Sequence, residues 1–268
     1  MNLEQFHTVL DIEKDSDGRT VLPVAHPKSE RIFGGQILAQ LVACAAPGKT
    51  VKSVQVAFPR EGRPTDPLYL DLEKTHDGRS LGVRHASVFQ EPALGVRRIV
   101  ATGSILLDRA DEEFDYQFDA VPTADPLTAK PIDFAVVPGE ARLISDVGLD
   151  DVSAVPAELA FWMRCPDFTD TSLARPVLAY VSDWPVIGTL LKAVPGLSQQ
   201  DAHTRLQTGV ISHSIWFHQP FDVSQWLRLE IRGQRLTGGR GFGTGAVYTQ
   251  AGSLVASFAQ ESVIRSFA

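Results

Sequence analysis

The second half of this chain repeats its first half at an offset of about 159 residues. Residues 53–58, Ser-Val-Gln-Val-Ala-Phe, return as residues 212–217, Ser-His-Ser-Ile-Trp-Phe, with the serine and the phenylalanine in register. At the same offset, three alternating aliphatic residues of a later segment also return: Leu68, Leu70 and Leu72 as Leu227, Leu229 and Ile231. Such a duplication predicts two structural units that share one core, and only one of them needs to keep an active site.

The composition is that of a globular protein with room for two such units. The chain has 268 residues, of which 44% are apolar and 21% are charged. A net charge of −7 argues against nucleic acid as a partner, although a few local cations would suffice to hold an anionic ligand. No apolar run approaches the roughly 18 residues of a membrane span, so no membrane span is predicted.

Cysteine and histidine usage narrows the chemistry. Cys44 and Cys165 are the only cysteines and lie in unrelated segments, which predicts neither a disulfide framework nor a zinc site. The seven histidines are scattered without the spacing of a metal site, so we expect no metal and no cofactor. The segment from Met1 to His7 lacks the pattern of a signal peptide, and with the two cysteines this predicts a cytoplasmic protein.

Residues 1–107 are predicted to form an N-terminal unit. Gly34-Gly35 opens an apolar helix over residues 36–46, and its lack of charge indicates burial on most sides. Strands are predicted around this helix at residues 18–25, 51–58, 67–75, 81–90 and 97–107. One buried helix followed by long antiparallel strands is an α+β arrangement, with the sheet curled around the helix.

Residues 108–157 are predicted to be an acidic, proline-rich linker, and residues 158–268 a C-terminal unit. In that unit a helix is expected over residues 175–183, ended by Pro185 because proline disfavours helical geometry in the residue before it. The stretch 186–208 has no counterpart in the first unit, and we expect it either to cap a ligand tunnel or to pack on the core. Strands are predicted at residues 159–164, 209–218, 226–235, 241–250 and 253–266.

Two polar residues of the C-terminal unit stand out against apolar surroundings. Gln260 shares its strand face with Phe258 and Ile264, and a buried carboxamide costs about 1–3 kcal/mol unless it is hydrogen-bonded. Asp183 closes an apolar helix, where the negative end of the helix dipole would raise the pKa of its carboxyl group. Both also have ordinary explanations, a glutamine satisfied by backbone groups and an aspartate at a solvated turn before proline.

Together with their neighbours, these residues form the pattern of a known family. The segments that carry it are Phe33-Gly34-Gly35-Gln36, Asp77-Gly78-Arg79-Ser80, Ile215 to Phe221, Gly239-Arg240-Gly241 and Leu254 to Glu261. From about residue 15 onward, the chain resembles the type II (TesB-like) acyl-CoA thioesterases. The resemblance implies a double hotdog fold, in which an antiparallel sheet wraps two long helices. It also implies hydrolysis of a fatty acyl-CoA thioester to the free acid and coenzyme A.

In that family an aspartate, a threonine or serine, and a glutamine bind and activate the hydrolytic water. The resemblance assigns the aspartate to Asp183 and the glutamine to Gln260, whereas the hydroxyl position falls on Val210. Because valine makes no hydrogen bond, we expect attenuated activity. Ser212 is expected on the same strand face as Val210 and is a candidate substitute, at a displacement of about 6.5–7 Å.

Several alternatives stay open at this point. Asp183 is expected to act as a general base on the water, with direct attack by its carboxylate as the alternative. A catalytically silent acyl-CoA-binding protein would keep the pocket without the chemistry. A hydratase of the same fold is a third hypothesis, although no matching Asp/His pair is found on a helix-and-turn segment.

The remaining candidates carry less weight. His213 and His218 fall on opposite strand faces and are expected to be structural histidines. Gly239 and Arg240 are weak candidates for contact with the phosphates of coenzyme A, since glycines and arginines are also common in solvated hairpins. Exposed sheet edges commonly pair in this family, so the resemblance predicts a homo-oligomer.

Overall fold

The computed structural model describes residues 1–25, 29–45, 49–93, 95–109, 114–118, 124–202 and 204–267. Its helices are α1 (Leu3–Leu10), α2 (Gly34–Cys44), α3 (Ala174–Ser182) and α4 (Pro185–Leu191). Its strands are β1 (Glu13–Lys14), β2 (Thr20–Leu22), β3 (Thr50–Ala57), β4 (Leu68–Asp77), β5 (Leu81–Ala93), β6 (Val96–Asp108), β7 (Lys130–Ile132), β8 (Glu140–Leu143), β9 (Glu158–Arg164), β10 (Leu206–Phe217), β11 (Leu227–Thr237), β12 (Arg240–Thr249) and β13 (Leu254–Ser266).

These strands join one antiparallel sheet in the order β1-β2-β4-β5-β6-β3-β10-β13-β12-β11-β9-β8-β7. The order is symmetric about its centre, where β3 of the first unit pairs with β10 of the second. On one side follow β6, β5 and β4, and on the other side follow their counterparts β13, β12 and β11. The duplication in the sequence therefore corresponds to two equivalent half-sheets, and the predicted α+β double hotdog fold is confirmed.

Both units carry the same irregularity at the same place. The pairing of β3 with β6 shifts at Lys52, and the pairing of β10 with β13 shifts at Ile211, between Val210 and Ser212. Each shift is a bulge, in which one strand contributes an extra residue. The two bulges are separated by the offset of the sequence repeat, so the duplicated units share the local backbone as well as the topology.

The helices α2 and α3 pack against each other inside the sheet. α2 is buried from Gly35 through Val42, as its lack of charge predicts. The two backbones approach closely at Gly35, where a Cβ atom would lie 2.3 Å from the carbonyl oxygen of Tyr180. The helix predicted over residues 36–46 is confirmed as far as Cys44, and Ala46 lies outside the described residues.

α4 follows α3 after a short break, with Pro185 in its first turn, where a proline is well tolerated. Leu190 of α4 lies over β11 and β12 at Gly233 and Gly241, where a Cβ atom would come within 2.8 and 2.7 Å of the leucine side chain. These glycines make room for the helix. α4 therefore packs on the core, which is one of the two expectations for the stretch 186–208.

The segment between the two units contains strands that the sequence analysis does not predict. β7 and β8 lie within the predicted linker and extend the sheet beyond β9. Ala141 and Leu143 of β8 alternate toward the core and are buried, which is the period-two pattern of a strand. The extended, solvated linker expected here thus includes two short strands, and residues 114–118 are exposed as expected. Residues 110–113 and 119–123 lie outside the described residues, and the unit boundaries stay a prediction.

The two ends of the sheet are short. β1 consists of the charged residues Glu13 and Lys14, and β7 contains Pro131, and both features disfavour pairing with a further strand. The homo-oligomer expected from edge pairing stays a prediction. Among the residues described, no helix is both long enough and apolar enough to cross a membrane.

Replacing Gly35 with alanine tests the contact between α2 and α3. The added Cβ atom would lie 2.3 Å from the Tyr180 carbonyl oxygen, so the helices must move apart. We expect the unfolding free energy to fall by about 1–3 kcal/mol, measured by urea denaturation. Gly148→Ala is the control, because its Cβ atom would meet nothing closer than 3.9 Å. Equal midpoints for Gly35→Ala and the wild type would contradict a tight contact.

Candidate active site

Asp183 lies where the end of one helix meets the start of another. It follows α3 directly, and only 2% of its surface is exposed. Its Oδ2 atom accepts a hydrogen bond at 3.1 Å from the backbone N–H of Gly35 in the first turn of α2. Its Oδ1 atom is also buried, and it accepts no hydrogen bond from the described residues. One carboxylate oxygen is thus fixed by the fold, and the other has no hydrogen-bond partner among the described residues.

Gly34 lies directly against this carboxylate. A Cβ atom at Gly34 would lie 3.0 Å from Asp183 Oδ2, so any side chain there would press against the carboxylate. Gly34 is itself partly exposed, which places the molecular surface close to the buried acid. The two consecutive glycines therefore act differently: Gly34 leaves space beside Asp183, and Gly35 lets the helices meet.

Burial controls the ionisation of Asp183. Removal from water raises the pKa of its carboxyl group to about 7, and the hydrogen bond from Gly35 opposes part of that rise. The direction agrees with the sequence prediction, but the main cause is burial rather than the dipole of its own helix. The explanation of Asp183 as an aspartate at a solvated turn was wrong, because the side chain is enclosed.

Gln260 projects inward from β13 and is 1% exposed. Its Oε1 atom lies 2.9 Å from Nδ1 of His213, and its Nε2 atom donates to Oγ of Ser262 at 3.1 Å. Side chains rather than backbone groups therefore satisfy this carboxamide, which differs from the ordinary explanation of a structural glutamine. The second N–H of Gln260 Nε2 has no hydrogen-bond acceptor in the part of the chain described.

His213 connects the two residues that the sequence singles out. Its ring is fully buried, with Nε2 lying 3.0 Å from Oγ of Ser182 and Nδ1 lying 4.0 Å from Oδ1 of Asp183. Burial lowers the pKa of this imidazole to about 4, so the ring is neutral at pH 7. Asp183 and Gln260 thus flank the same ring nitrogen, and the structure brings the carboxylate and the carboxamide together.

The bulge in β10 determines which face of the sheet Val210 and Ser212 lie on. Val210 pairs with the buried Ser262 and so faces inward, whereas Ser212 pairs with the exposed Glu261 and so faces outward. Ser212 therefore lies on the face opposite to Val210 and Gln260. The expectation that Ser212 shares a face with Val210 was wrong, because strict alternation does not hold across a bulge.

The equivalent positions of the first unit are apolar. The cross-strand pair His213–Gln260 on β10 and β13 corresponds to the pair Val54–Ile105 on β3 and β6. Val54 and Ile105 are both fully buried. At these two positions, polar side chains are found in the second unit only, as the duplication allows; Asp183, His213 and Gln260, with Ser182 and Ser262, are called the polar cluster below.

Gly239 and Arg240 lie at the hairpin between β11 and β12. Gly238 and Gly239 have φ angles of 57° and 72°, in the left-handed region that a tight two-residue hairpin requires. Arg240 is exposed, and its guanidinium donates to the carbonyl oxygen of Gly239 at 3.1 Å. Hairpin geometry explains both glycines without a ligand, so phosphate binding at Arg240 stays a proposal.

A surface groove of about 550 Å³ lies elsewhere, along β2, β4 and β5 of the first unit. Its walls carry the acids Asp17, Asp71 and Glu73, whose charges would repel a polyphosphate. Arg19 in the same groove is paired with acidic neighbours, among them Glu91. This groove does not suit an acyl-CoA, and the candidate site stays at Asp183.

The chain matches known proteins over nearly its whole length. A family profile described as acyl-CoA thioesterase matches residues 157–263, and one described as acyl-CoA thioesterase N-terminal domain matches residues 22–106. A relative from Haemophilus influenzae named acyl-CoA thioesterase 2 is 30% identical over 258 residues, which are 88% of this chain and 88% of the relative. The chain belongs to the type II acyl-CoA thioesterase family.

Other comparisons extend this result. A rat relative named acyl-coenzyme A thioesterase 8 is 27% identical over 272 residues, which cover 90% of this chain and 82% of the relative. The crystal structure of acyl-CoA thioesterase II TesB2 from Mycobacterium marinum superposes with a TM-score of 0.76 at 24% identity, covering 98% of this chain and 97% of that one. The structural match supports the fold, and the relatives support a thioester hydrolase that acts on acyl-CoA.

Sequence reasoning gives no role in the site to three residues that the structure brings next to Asp183 and Gln260: Ser182 and Ser262, which it does not name, and His213, which it treats as structural. Alternation places His213 on the face opposite to His218, and this is confirmed, since His218 is exposed and bonded to Ser257 at 2.8 Å. The same alternation marks His213 and Ser262 as polar residues in the core. Only the register of β10 against β13 shows that both of them bind Gln260.

The pH dependence of stability tests the burial of Asp183. Between its ordinary pKa of 3.8 and the folded value of about 7, the folded state keeps a proton that the unfolded state loses. The contribution of Asp183 to the unfolding free energy therefore falls as pH rises through this window. His213 acts in the opposite sense, because its folded pKa of about 4 lies below its ordinary 6.5 and its contribution rises with pH.

The variant Asp183→Asn removes only the first of these contributions. We expect its unfolding free energy, relative to the wild type, to increase steadily from pH 4 to pH 7, measured by urea denaturation at intervals of pH. The exposed Asp150→Asn serves as the control and should run parallel to the wild type. Parallel curves for Asp183→Asn would contradict a raised pKa.

Proposed function

We propose that this site hydrolyses acyl-CoA thioesters with Asp183 as the general base. The observation that carries the proposal is the buried carboxylate, with one oxygen held by Gly35 and the other facing the His213–Gln260 pair. A base whose pKa is about 7 is well matched to proton transfer at neutral pH. Because the carboxylate is buried away from water, its interactions with a reacting group are also stronger.

In the proposed step, Oδ1 of Asp183 removes a proton from a water molecule whose oxygen attacks the thioester carbonyl carbon. The remaining N–H of Gln260 donates to this water and holds it beside the base. The tetrahedral intermediate then collapses, the C–S bond breaks, and the thiolate of coenzyme A leaves. The proton returns from Asp183 to the sulfur, which restores the carboxylate.

Val210 bears on the level of activity. It faces inward from β10 at the position where the family pattern has a hydroxyl, and it offers no hydrogen bond. Loss of one positioning group lowers a rate by roughly 10²-fold in other enzymes. We therefore propose attenuated activity unless another hydroxyl takes over the role. A catalytically silent acyl-CoA-binding protein is the rival, and the base-like pKa of Asp183 favours the enzyme over it.

The partners follow from the same proposal. Acyl-CoA is the substrate and coenzyme A the product, with the exposed Arg240 and Gly239 as proposed contacts for its phosphates. No residue of the polar cluster requires a metal or a cofactor for this step. The homo-oligomer and the cytoplasmic location stay predictions of the sequence.

Asp183→Asn tests the assignment of the base. The amide keeps the shape but cannot accept the proton, so we expect kcat to fall by about 10²–10⁴-fold. In the wild type, kcat/KM should rise with pH through about 7, because only the ionised carboxylate is active. Both are measured by thiol release from acyl-CoA, with Asp150→Asn as the control. Equal rates for wild type and Asp183→Asn would refute this role, and binding of acyl-CoA without turnover by the wild type would favour the silent binder.

A further inference from the structure

A buried serine lies directly across from Val210. We propose that Ser262 supplies the positioning hydroxyl of this site, in place of the hydroxyl that residue 210 lacks. This inference rests on the thioesterase function and on Asp183 as its base. It concerns a residue that positions Gln260 and the reactant water, on a different strand from the family's hydroxyl.

The strand register places Ser262 where a hydroxyl at position 210 would reach. Val210 and Ser262 are direct partners across the β10–β13 pair. Opposed residues of antiparallel strands project from the same face, with Cβ atoms about 4.5–5.5 Å apart. That face is the interior, because Ser262 is fully buried. A hydroxyl on either strand therefore enters the same region of the core.

Ser262 is already bonded to the residue that it would position. Nε2 of Gln260 donates to Oγ of Ser262 at 3.1 Å, while Oε1 of Gln260 lies 2.9 Å from the ring of His213. The carboxamide is thus held from both ends. A serine oxygen that accepts one hydrogen bond still has its own proton to donate. Ser262 is therefore equipped both to orient Gln260 and to hold a water.

The fold itself does not require a polar residue at this position. The equivalent pair in the first unit, next to the equivalent bulge, is Val51–Leu107, and Leu107 is fully buried. An apolar side chain therefore fits the same backbone. A buried hydroxyl costs about 1–3 kcal/mol when it lacks a partner, so its presence in the second unit points to the polar cluster.

Other nearby hydroxyls are placed less well. Ser212 faces outward, and Ser182 is bonded to the far side of the His213 ring. Thr208 faces inward but pairs with Ile264 and lies two residues from Val210, which displaces it by about 6.5–7 Å along β10. Among the hydroxyls of the described residues, the one that is hydrogen-bonded to the Gln260 carboxamide is that of Ser262.

A transplant of the hydroxyl across the strand pair tests this inference. We expect Ser262→Ala to lower kcat by about 10–100-fold with KM changed less than about threefold, since positioning acts on the chemical step. Adding Val210→Thr to Ser262→Ala should restore kcat to within about threefold of the wild type. Ser257→Ala is the matched control, because it removes a hydrogen-bonded serine from the outward face of the same strand. Urea denaturation of each variant confirms that it is folded.

The outcomes separate this inference from the thioesterase proposal. A wild type without acyl-CoA hydrolysis overturns both. An active wild type with an unchanged Ser262→Ala overturns the role of Ser262 alone. A double variant as slow as Ser262→Ala also overturns it, because a merely structural serine would not be rescued from the opposite strand. The rise of kcat/KM near pH 7 should persist in Ser262→Ala, since Asp183 is still the base.

Discussion

The close approach of α2 and α3 is the contact on which the site depends. Gly35 lets the two backbones meet, and Gly34 leaves no side chain between the start of α2 and Asp183. As a result, the backbone N–H of Gly35 reaches the carboxylate while protein excludes water from it. A wider gap between the helices would hydrate Asp183 and return its pKa toward 3.8, where it would be a poor base at neutral pH.

Duplication explains how one half of the molecule can be chemically active while the other is structural. Both units have the same strand order and the same bulge, so each offers an inward cross-strand pair at the same depth. The first unit fills it with Val54 and Ile105, and the second with His213 and Gln260. Burying these polar groups in the second unit costs less because they bond to one another. The carboxamide of Gln260 is hydrogen-bonded to His213 and to Ser262, which are buried polar side chains themselves.

The sequence predicts the elements that follow from periodicity and fails where the backbone departs from it. The repeat predicts the two half-sheets, and alternation places Gln260 inward beside Phe258. Ser212 is misplaced because Ile211 forms a bulge without a glycine to signal it. β7 and β8 are missed because their buried residues are few and lie in a polar, proline-rich segment. The sequence does not single out Ser262, because only the register of β13 against β10 shows that it lies opposite Val210.

Strand register changes how a site that lacks one of its family's residues is interpreted. A hydrogen-bonding group is defined by where it lies in space. Two opposed, inward-facing residues on paired strands place their side chains in the same region. A hydroxyl can therefore change strands during divergence without a change in the backbone, provided that the opposing residue is small and faces the same way. In the sequence, Val210 indicates that the positioning hydroxyl has been lost. In the structure, Ser262 lies opposite Val210 across β10 and β13, which indicates that the hydroxyl has moved to the neighbouring strand. Because the hydroxyl of Ser262 already binds Gln260, the structure favours the second interpretation.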